Sequence, residues 1–262
     1  MPLIFSAVVP NHPEIAKELA MPGNVELSPT AQSIKELEGE LYFMKPDTIV
    51  ILTSHGSIVP DLINMNISGT VAPKWPEGMT DMPSDATYTC DVEFMASIKG
   101  KIDTKDLEVP LTIIAEPSVV PEVAGPLSYL MSHLESTKVV VMSTADFSLQ
   151  EHYLFGEFLA DQIMQTNKRV AVFATGHLSS DSAKAEHEKK TFDSMCLECL
   201  KENRREEILR LNNGILKETD ADIVIPLSVM LGIIAKVNIS PEVLSYEQTY
   251  GFGQLVANFV IK

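Results

Sequence analysis

Four short runs of apolar, mostly β-branched residues recur along the chain, separated by segments with helical periodicity. They are LIFSAVV at 3–9, DTIVILT at 47–53, KVVVMST at 138–144 and RVAVFAT at 169–175. Continuous apolar runs of this kind are typical of strands that are buried on both faces of a parallel sheet. Their alternation with helical segments predicts an α/β protein with a mostly parallel central sheet flanked by helices.

The segments between these strands carry signals of helix starts and helical spacing. Ser28 is placed to cap a helix that has Pro29 at its first position, and LQEHYLFGEFLADQIMQ has an amphipathic period. Further elements are predicted as helices near 90–99, over 183–202, from 205 and near 222–236, a strand at LTIIAE, and two strands around the QTYGF turn. No linker or repeat divides the chain, which predicts one domain over 1–262.

The charge balance argues against several classes of partner. The sequence holds 36 acidic and 20 basic residues, for a net charge of −16. Nucleic acids and anionic membrane surfaces are bound by clustered Lys and Arg, so neither is expected as a partner. No apolar run approaches the ~20 residues of a membrane span. If the chain associates, a homodimer is expected, because two-fold dimers are the commonest oligomers.

The cysteines indicate a reduced, cytoplasmic protein. Their number is odd, and they are Cys90, Cys196 and Cys199. Cys196 and Cys199 have the CxxC spacing of a metal or redox motif, but they fall in an apolar stripe of a predicted helix. This position favours core packing over a thiol function.

The four apolar strands end in polar or ionisable residues, namely His12, His55, Asp146 and His177. The carboxyl ends of parallel strands lie at one edge of a sheet, where ligands bind. Three of the six histidines are therefore expected at a common rim. Asp146 also suits the role of a helix cap, for which Ser148 is the other candidate.

Two of these histidines and one late carboxylate suggest a metal site. His12 and His55 offer imidazole nitrogens, and Glu247, in LSYEQTYGFG, offers an oxygen. Two imidazoles and one carboxylate on a single face of the metal form the ligand set of non-haem Fe(II) oxygenases. Gly251 and Gly253 would permit the tight turn that brings the last strands back to the site. The same ligands would also suit Zn or Mn around a bound water, as in metal-dependent hydrolases.

Several segments resemble one family, in the same order along nearly the whole chain. SYEQTYGFGQLVANF resembles the SYEGPFGVGY-VA-F ending of the class III extradiol ring-cleavage dioxygenases, the LigB-like superfamily of the protocatechuate 4,5-dioxygenase beta-subunit type. KPDTIVILTSHGSIVPD resembles the family's PDTIVI-SPHGPVF-D segment, and LIFSAVVPNHPEI is similar to its opening strand and PHPPIL turn. RVAVFATGHLSSD resembles its VVIASGDLSH strand.

The resemblance implies a LigB-type, phosphorylase/hydrolase-like fold over 1–262. It also implies that His12, His55 and Glu247 bind Fe(II). The implied reaction is extradiol cleavage of a small phenolic or catecholic substrate with O₂, a step of aromatic-compound catabolism. One departure lies in the opening motif, where Asn11 intervenes before His12.

Two accessory histidines of the family are displaced or missing. The final histidine of the family's DLSH segment is an acid–base group, and Ser180 occupies that position here, with His177 three residues earlier. If this stretch opens a helix, residues three apart share a face, so His177 is the predicted base and Ser180 would orient a water or a substrate hydroxyl. Alternatively, His177 caps the next helix or bonds a backbone carbonyl. Near the family's other histidine the chain has Pro121, with Glu122 as the nearest titratable group.

Three functional hypotheses follow from these departures. The first is a non-haem Fe(II)-dependent extradiol dioxygenase. The second is a metal-binding or interaction protein on the same fold that has lost dioxygenase activity, since a fold does not fix a function. The third is a metal-dependent hydrolase that uses the same ligands around a bound water.

Overall fold

The structure is a computed structural model that describes residues 1–21, 26–79, 82, 86–102, 111–181 and 186–262, without the side chains of 186–189 and 213. Its strands are β1 (Leu3–Val9), β2 (Thr48–Thr53), β3 (Ile63–Asn66), β4 (Thr70–Pro73), β5 (Tyr88–Thr89), β6 (Leu111–Ile114), β7 (Ser118–Val119), β8 (Lys138–Ser143), β9 (Val170–Thr175), β10 (Ile239–Thr249) and β11 (Phe252–Ile261). Its helices are α1 (Pro13–Ala20), α2 (Pro29–Met44), α3 (Val92–Ile102), α4 (Pro121–Leu130), α5 (Leu149–Gln165), α6 (Glu186–Lys201), α7 (Arg205–Leu209), α8 (Asn213–Thr219) and α9 (Val224–Ile233).

An 8-stranded sheet organises the molecule, with the strand order β10-β11-β1-β9-β2-β8-β3-β6. The four central strands, β1, β9, β2 and β8, are parallel to one another, and β11 and β3 pair with them antiparallel on either side. A smaller sheet has the order β5-β4-β7. The predicted α/β fold, with a mostly parallel central sheet flanked by helices, is confirmed.

The central strands are those that the sequence marks by continuous apolar runs. Every residue of β2 and of β9 is buried, as is normal for parallel strands that are covered on both faces. Helix α9 packs against β9 and β2, whereas α2 packs against β1, β10 and β11. None of the helices in the described ranges is long and apolar enough to cross a membrane.

Helices α5 and α9 cross in backbone contact, and glycine makes this possible. A Cβ at Gly156 of α5 would lie 2.0 Å from the carbonyl oxygen of Val229 and 2.9 Å from the Cα of Gly232 in α9. A Cβ at Gly232 would meet the carbonyl oxygen of Tyr153 at 2.1 Å. Neither backbone can move aside without separating the helices, so this contact requires both glycines.

The predicted helix starts agree with the structure. Ser28 accepts a hydrogen bond from the N–H of Ala31, with Pro29 at the first position of α2. Ser148 caps α5, and Glu151 completes a capping box, which resolves the choice between Asp146 and Ser148. The predicted helix over 183–202 is observed as α6 from 186, and residues 183–185 lie outside the described ranges. Helices α1, α4 and α8 and strands β3, β4, β5 and β7 were not predicted.

Candidate active site

Three histidines lie at one edge of the sheet because the strands that precede them are neighbours. β9 lies between β1 and β2, and Thr175 is in register with both Val9 and Thr53. His177 therefore follows the middle strand, with His12 on one side and His55 on the other. This is the common rim that the strand ends predict.

Asp222, just before α9, is the carboxylate around which this edge is organised. Its Oδ2 lies 2.6 Å from His55 Nε2 and 3.5 Å from His177 Nε2. The same oxygen accepts a hydrogen bond from Asn11 Nδ2 at 2.9 Å, and Oδ1 accepts one from the backbone N–H of His177. The Ser54 hydroxyl donates to the backbone carbonyl of Asp222 at 2.7 Å. One residue thus joins the ends of β1, β2 and β9.

Gly176 lets the Asp222 segment approach the sheet this closely. A Cβ at Gly176 would lie 2.6 Å from Asp222 Oδ1 and 2.7 Å from the Cα of Ile223. The N–H of Ile223 donates to the carbonyl of His177 at 3.2 Å, which fixes the two segments together. Any side chain at Gly176 would push Asp222 away from the histidines.

Asp222 raises the proton affinity of His55. Burial by itself lowers the pKa of an imidazole, but here the hydrogen bond to Asp222 and its negative charge together outweigh burial, so the pKa of His55 is raised. The charges of Glu122 and Asp220 act in the same direction. Neutral His55 donates from Nε2 to Asp222 and keeps a lone pair on Nδ1, which no described residue engages.

His177 and His12 are held by hydrogen bonds to the backbone. His177 Nδ1 donates to the carbonyl of Leu178 at 2.8 Å, so the neutral ring keeps its lone pair on Nε2, facing Asp222. His12 caps α1, with Nδ1 accepting from the N–H of Glu14 at 3.3 Å. Burial is the main reason that the pKa of His12 is lowered.

Aromatic rings from the last hairpin cover one side of the histidines. Tyr250 stacks on His12 with the ring centroids 5.2 Å apart, and Phe252 lies 5.3 Å from the His12 ring and 4.3 Å from the His177 ring. Tyr250 and Gly251 both have positive φ, at 54° and 84°, as a tight type I′ hairpin turn requires. The hairpin thereby covers His12 and His177 on one side.

Glu247, the predicted third metal ligand, has its hydrogen bonds elsewhere. Its Oε2 accepts from the N–H and the hydroxyl of Thr30, at 2.8 Å and 2.6 Å, in the first turn of α2. A carboxylate there satisfies a free amide and complements the helix dipole. Its negative charge also contributes to the raised pKa of Tyr250, which stacks on His12. The carboxylate in direct contact with His55 is Asp222, and ligation by Glu247 remains a prediction.

The donor types at this edge suit iron, zinc or manganese, all of which accept imidazole and carboxylate ligands. His12 and His55 each have one ring nitrogen that makes no hydrogen bond with a described residue. As the side chains stand, no three His, Cys, Asp or Glu residues of the described ranges surround a common point as metal ligands. The residues fit a metal by their chemistry, and binding would require their side chains to rearrange.

Comparison with known proteins decides the family. A family model described as the catalytic LigB subunit of aromatic ring-opening dioxygenase matches residues 7–257. The chain belongs to this family. The match covers all three rim histidines together with Asp222 and Glu247.

One known protein is similar to this LigB family member in sequence and another in structure. Protein CA_C1420 of Clostridium acetobutylicum is 22% identical over 261 residues, which cover 94% of this chain and 55% of that protein. The chain thus spans about half the length of this curated relative. The crystal structure of uncharacterized protein JW3007 from Escherichia coli K12 has a TM-score of 0.68 at 12% identity and covers 98% of this chain and 100% of that one. This second likeness shows that the two chains share a fold.

The two residues predicted to act in catalysis have different surroundings in this LigB fold. His177 contacts Asp222, and its bond to the carbonyl of Leu178 matches the alternative that it bonds a backbone carbonyl. The stretch 177–180 does not open a helix, so the expectation that His177 and Ser180 share a helix face is wrong. Ser180 is 2% exposed, donates its N–H to the carbonyl of Thr219 and forms a β-bridge with Phe252. A catalytic role for Ser180 remains a prediction.

Sequence reasoning missed Asp222 and the role of Asn11. Asp222 precedes an apolar helix, where an acidic residue is read as a helix cap. Asn11 is the extra residue that displaces His12 in the LigB opening motif, and it donates to Asp222. That displacement was the one signal in the sequence that this rim has a polar partner of its own.

The cysteines are buried in the core of this LigB fold. Cys196 and Cys199 are 3% and 1% exposed, and all three cysteines are free thiols. Burial raises the pKa of Cys196 well above its ordinary value, so its thiol stays protonated and unreactive. This agrees with their predicted packing role.

Proposed function

We propose that the chain is a non-haem Fe(II)-dependent dioxygenase that opens a catecholic ring beside its hydroxyl groups with O₂. The observation that carries the proposal is the contact of His55 and His177 with Asp222, with His12 after the neighbouring strand β1, next to a cavity that His55 lines. Membership of the LigB family supports the reaction class.

His12 and His55 are the proposed nitrogen ligands of the metal. His12 would bind through Nε2, and His55 through Nδ1 while its Nε2–H stays on Asp222, as metal-bound histidines commonly bond a carboxylate. Glu247 is the proposed third ligand on the strength of the family resemblance, and Asp222 is its competitor. A bound Fe(II) would supply electrons and open positions for catechol and O₂.

His177 is the proposed acid–base group. Its Nε2 lone pair accepts a proton from a catechol hydroxyl, and the resulting imidazolium is stabilised by the Asp222 carboxylate 3.5 Å away. The bond from Nδ1 to the Leu178 carbonyl keeps the ring in the tautomer that this step needs. The same nitrogen can return the proton later in the reaction. Ser180 is proposed only to orient a water or a substrate hydroxyl.

The experiment that tests this proposal is anaerobic reconstitution with Fe(II), followed by oxygen-electrode assays with catechols. We expect oxygen uptake by the wild type. His177→Ala should bind iron as the wild type does and lose about 10²–10⁴-fold in turnover, which is the usual contribution of a general base. Wild-type turnover in His177→Ala would show that the proton goes elsewhere.

The same assay separates the two alternative functions. Stoichiometric iron without oxygen uptake from any catechol would favour a LigB-fold metal-binding or interaction protein that has lost the reaction. Hydrolysis that depends on Zn or Mn, without oxygen uptake, would favour a hydrolase. The absence of the family's two accessory histidines is the observation that keeps the first alternative open.

A further inference from the structure

Asp193 of α6 is a buried carboxylate that contacts the segment after His177. It is 2% exposed. Its Oδ1 accepts from the backbone N–H of Ser179 at 3.0 Å, and its Oδ2 accepts from the Ser179 hydroxyl at 2.7 Å. A carboxylate that is removed from water is costly unless its oxygens are hydrogen-bonded, so Asp193 and Ser179 are expected to keep this contact.

Tyr246 of β10 is a second partner of this carboxylate. Its hydroxyl donates to Asp193 Oδ2 at 2.5 Å. Burial, and then the hydrogen bond to Asp193, raise the pKa of Tyr246 well above its ordinary value, so the hydroxyl stays protonated and remains a donor. Asp193 thus joins the segment after His177 to the strand that carries Glu247.

The peptide group between Leu178 and Ser179 connects Asp193 with the ring of His177. Its N–H donates to Asp193 Oδ1, and its carbonyl oxygen accepts from His177 Nδ1 at 2.8 Å. A peptide group is planar, so a hydrogen bond that fixes one end also fixes the direction of the other. Hydrogen bonds in a chain also polarise one another, which makes this carbonyl a stronger acceptor for the imidazole N–H.

The last hairpin holds this peptide group in place. The N–H of Leu178 donates to the carbonyl of Gly253 at 2.8 Å, and the N–H of Gly253 donates to the carbonyl of Ser179 at 2.8 Å. A Cβ at Gly253 would lie 2.9 Å from Asp193 Oδ2 and 3.0 Å from the Cβ of Leu178. This close packing leaves no room for a side chain at residue 253, and the hairpin fixes the peptide against Asp193.

The geometry points to Asp193 as a positioning residue that acts on His177 through the Leu178–Ser179 peptide. The carboxylate holds the N–H of this peptide, and the carbonyl keeps the proton of the imidazole on Nδ1. The Nε2 lone pair of His177 then stays toward Asp222. Asp193 itself is too deeply buried to touch a substrate. The inference rests on the proposed function only for its effect on turnover, because the tautomer of His177 is a property of the metal-free chain.

Nitrogen NMR of the histidine rings in the metal-free full-length chain tests this inference. Long-range proton–nitrogen correlation spectra show which ring nitrogen carries the proton. They are recorded with a chelator at about pH 8, above the ordinary imidazole pKa of about 6.5. His177→Gln identifies the signals of His177 among those of the six histidines. We expect wild-type His177 to be in the Nδ1–H tautomer.

Asp193→Ala removes the acceptor of the Ser179 N–H. The ratio of the Nδ1–H to the Nε2–H tautomer should fall about tenfold, which is the order of one lost hydrogen bond. In the iron-loaded chain the same variant should lose about 10–100-fold in kcat with little change in KM, as expected when a base is misplaced. The matched control is Asp91→Ala, which removes a buried carboxylate that accepts from the Thr48 hydroxyl and the Phe94 N–H. It should destabilise the chain and leave the tautomer ratio and kcat unchanged.

Three outcomes would overturn the inference. They are a wild-type His177 with its proton on Nε2, an unchanged tautomer ratio in Asp193→Ala, and an equal fall of the ratio in Asp91→Ala. If Asp193→Ala does not fold, Asp193→Leu combined with Tyr246→Phe replaces two bonded partners by apolar groups at a smaller cost and should show the same fall. If the tautomer depends on Asp193 but no catechol consumes oxygen, the inference stands and the proposed function fails. Oxygen uptake with a tautomer ratio that is independent of Asp193 would have the opposite meaning.

Discussion

At the scale of single residues, Asp222 contacts two of the three histidines of this edge, His55 and His177. Its Oδ2 accepts hydrogen bonds from His55 and Asn11 and lies 3.5 Å from Nε2 of His177. The Asp222 side chain is only 14% exposed. A carboxylate bonded to the far nitrogen of a metal-bound histidine fixes the ring and raises its basicity. Asp222 should therefore govern metal affinity whether or not it binds the metal itself.

Asp222→Asn keeps the size of the side chain and removes its charge. We predict a metal affinity about 10–100-fold lower than that of the wild type, which competition titration with a chromophoric chelator measures. Asp161→Asn, which makes the same change at an exposed position on α5, is the control and should bind metal normally. Equal affinities of the two variants would count against the role given to Asp222.

At the scale of elements, the crossing of α5 and α9 sets the position of the Asp222 segment, which leads directly into α9. Gly156→Ala would place a Cβ 2.0 Å from the Val229 carbonyl oxygen, so the helices must separate. We predict a loss of about 3 kcal/mol or more in the free energy of unfolding, measured by urea denaturation.

The control for this prediction is Gly39→Ala, in α2. No atom lies within 4 Å of the Cβ that this change would add. Alanine is favoured over glycine inside a helix by about 0.5–1 kcal/mol, so this variant should be slightly more stable than the wild type. Similar unfolding curves for the two alanine variants would show that the close crossing has no energetic importance.

Particular elements show how far the sequence predicts this molecule. β2 and β9 were predictable because continuous apolar runs mark strands that are buried on both faces, and the histidines after them follow from the sheet edge. α1 was missed because its eight residues make only about two turns, which is shorter than the window in which a helical period can be recognised. The contact of His55 with Asp222 joins residues 167 positions apart, and no local pattern encodes it.

At the scale of the whole molecule, the acidic surface surrounds a buried ion pair. Asp91 is fully buried, and both of its oxygens accept from Lys168 Nζ, at 2.6 Å and 2.9 Å. Burial would raise the pKa of Asp91, but the bonds from Lys168, Thr48 and the N–H of Phe94 lower it. The pair links the start of α3 to the loop before β9.

This pair makes stability depend on pH in a defined direction. Because the pKa of Asp91 is lowered by folding, its contribution is present above the unfolded value of about 3.9 and is lost as pH falls through the lower folded value. The pKa of Lys168 is raised by folding. Its contribution to stability is therefore present below about pH 10.4 and is lost only in stronger base.

Lys168→Met should cost about 2 kcal/mol of unfolding free energy at pH 7, because a buried carboxylate loses a charged partner. The difference from wild type should shrink below about pH 4, where Asp91 becomes protonated in the variant. Urea denaturation at several pH values measures both. Lys236→Met, which removes an exposed ion pair, should change stability little at any pH. A difference for Lys168→Met that stays constant into acid would contradict this account.

The central claim is that the metal binds at the sheet edge that carries His12 and His55, and anomalous diffraction at the iron edge tests it most directly. Crystals of the full chain loaded with Fe(II) under anaerobic conditions should show one strong peak in contact with both histidines and with one carboxylate. That carboxylate will be identified as Glu247 or Asp222. A peak away from both histidines, or no ordered peak in crystals of protein with stoichiometric iron, would contradict the account.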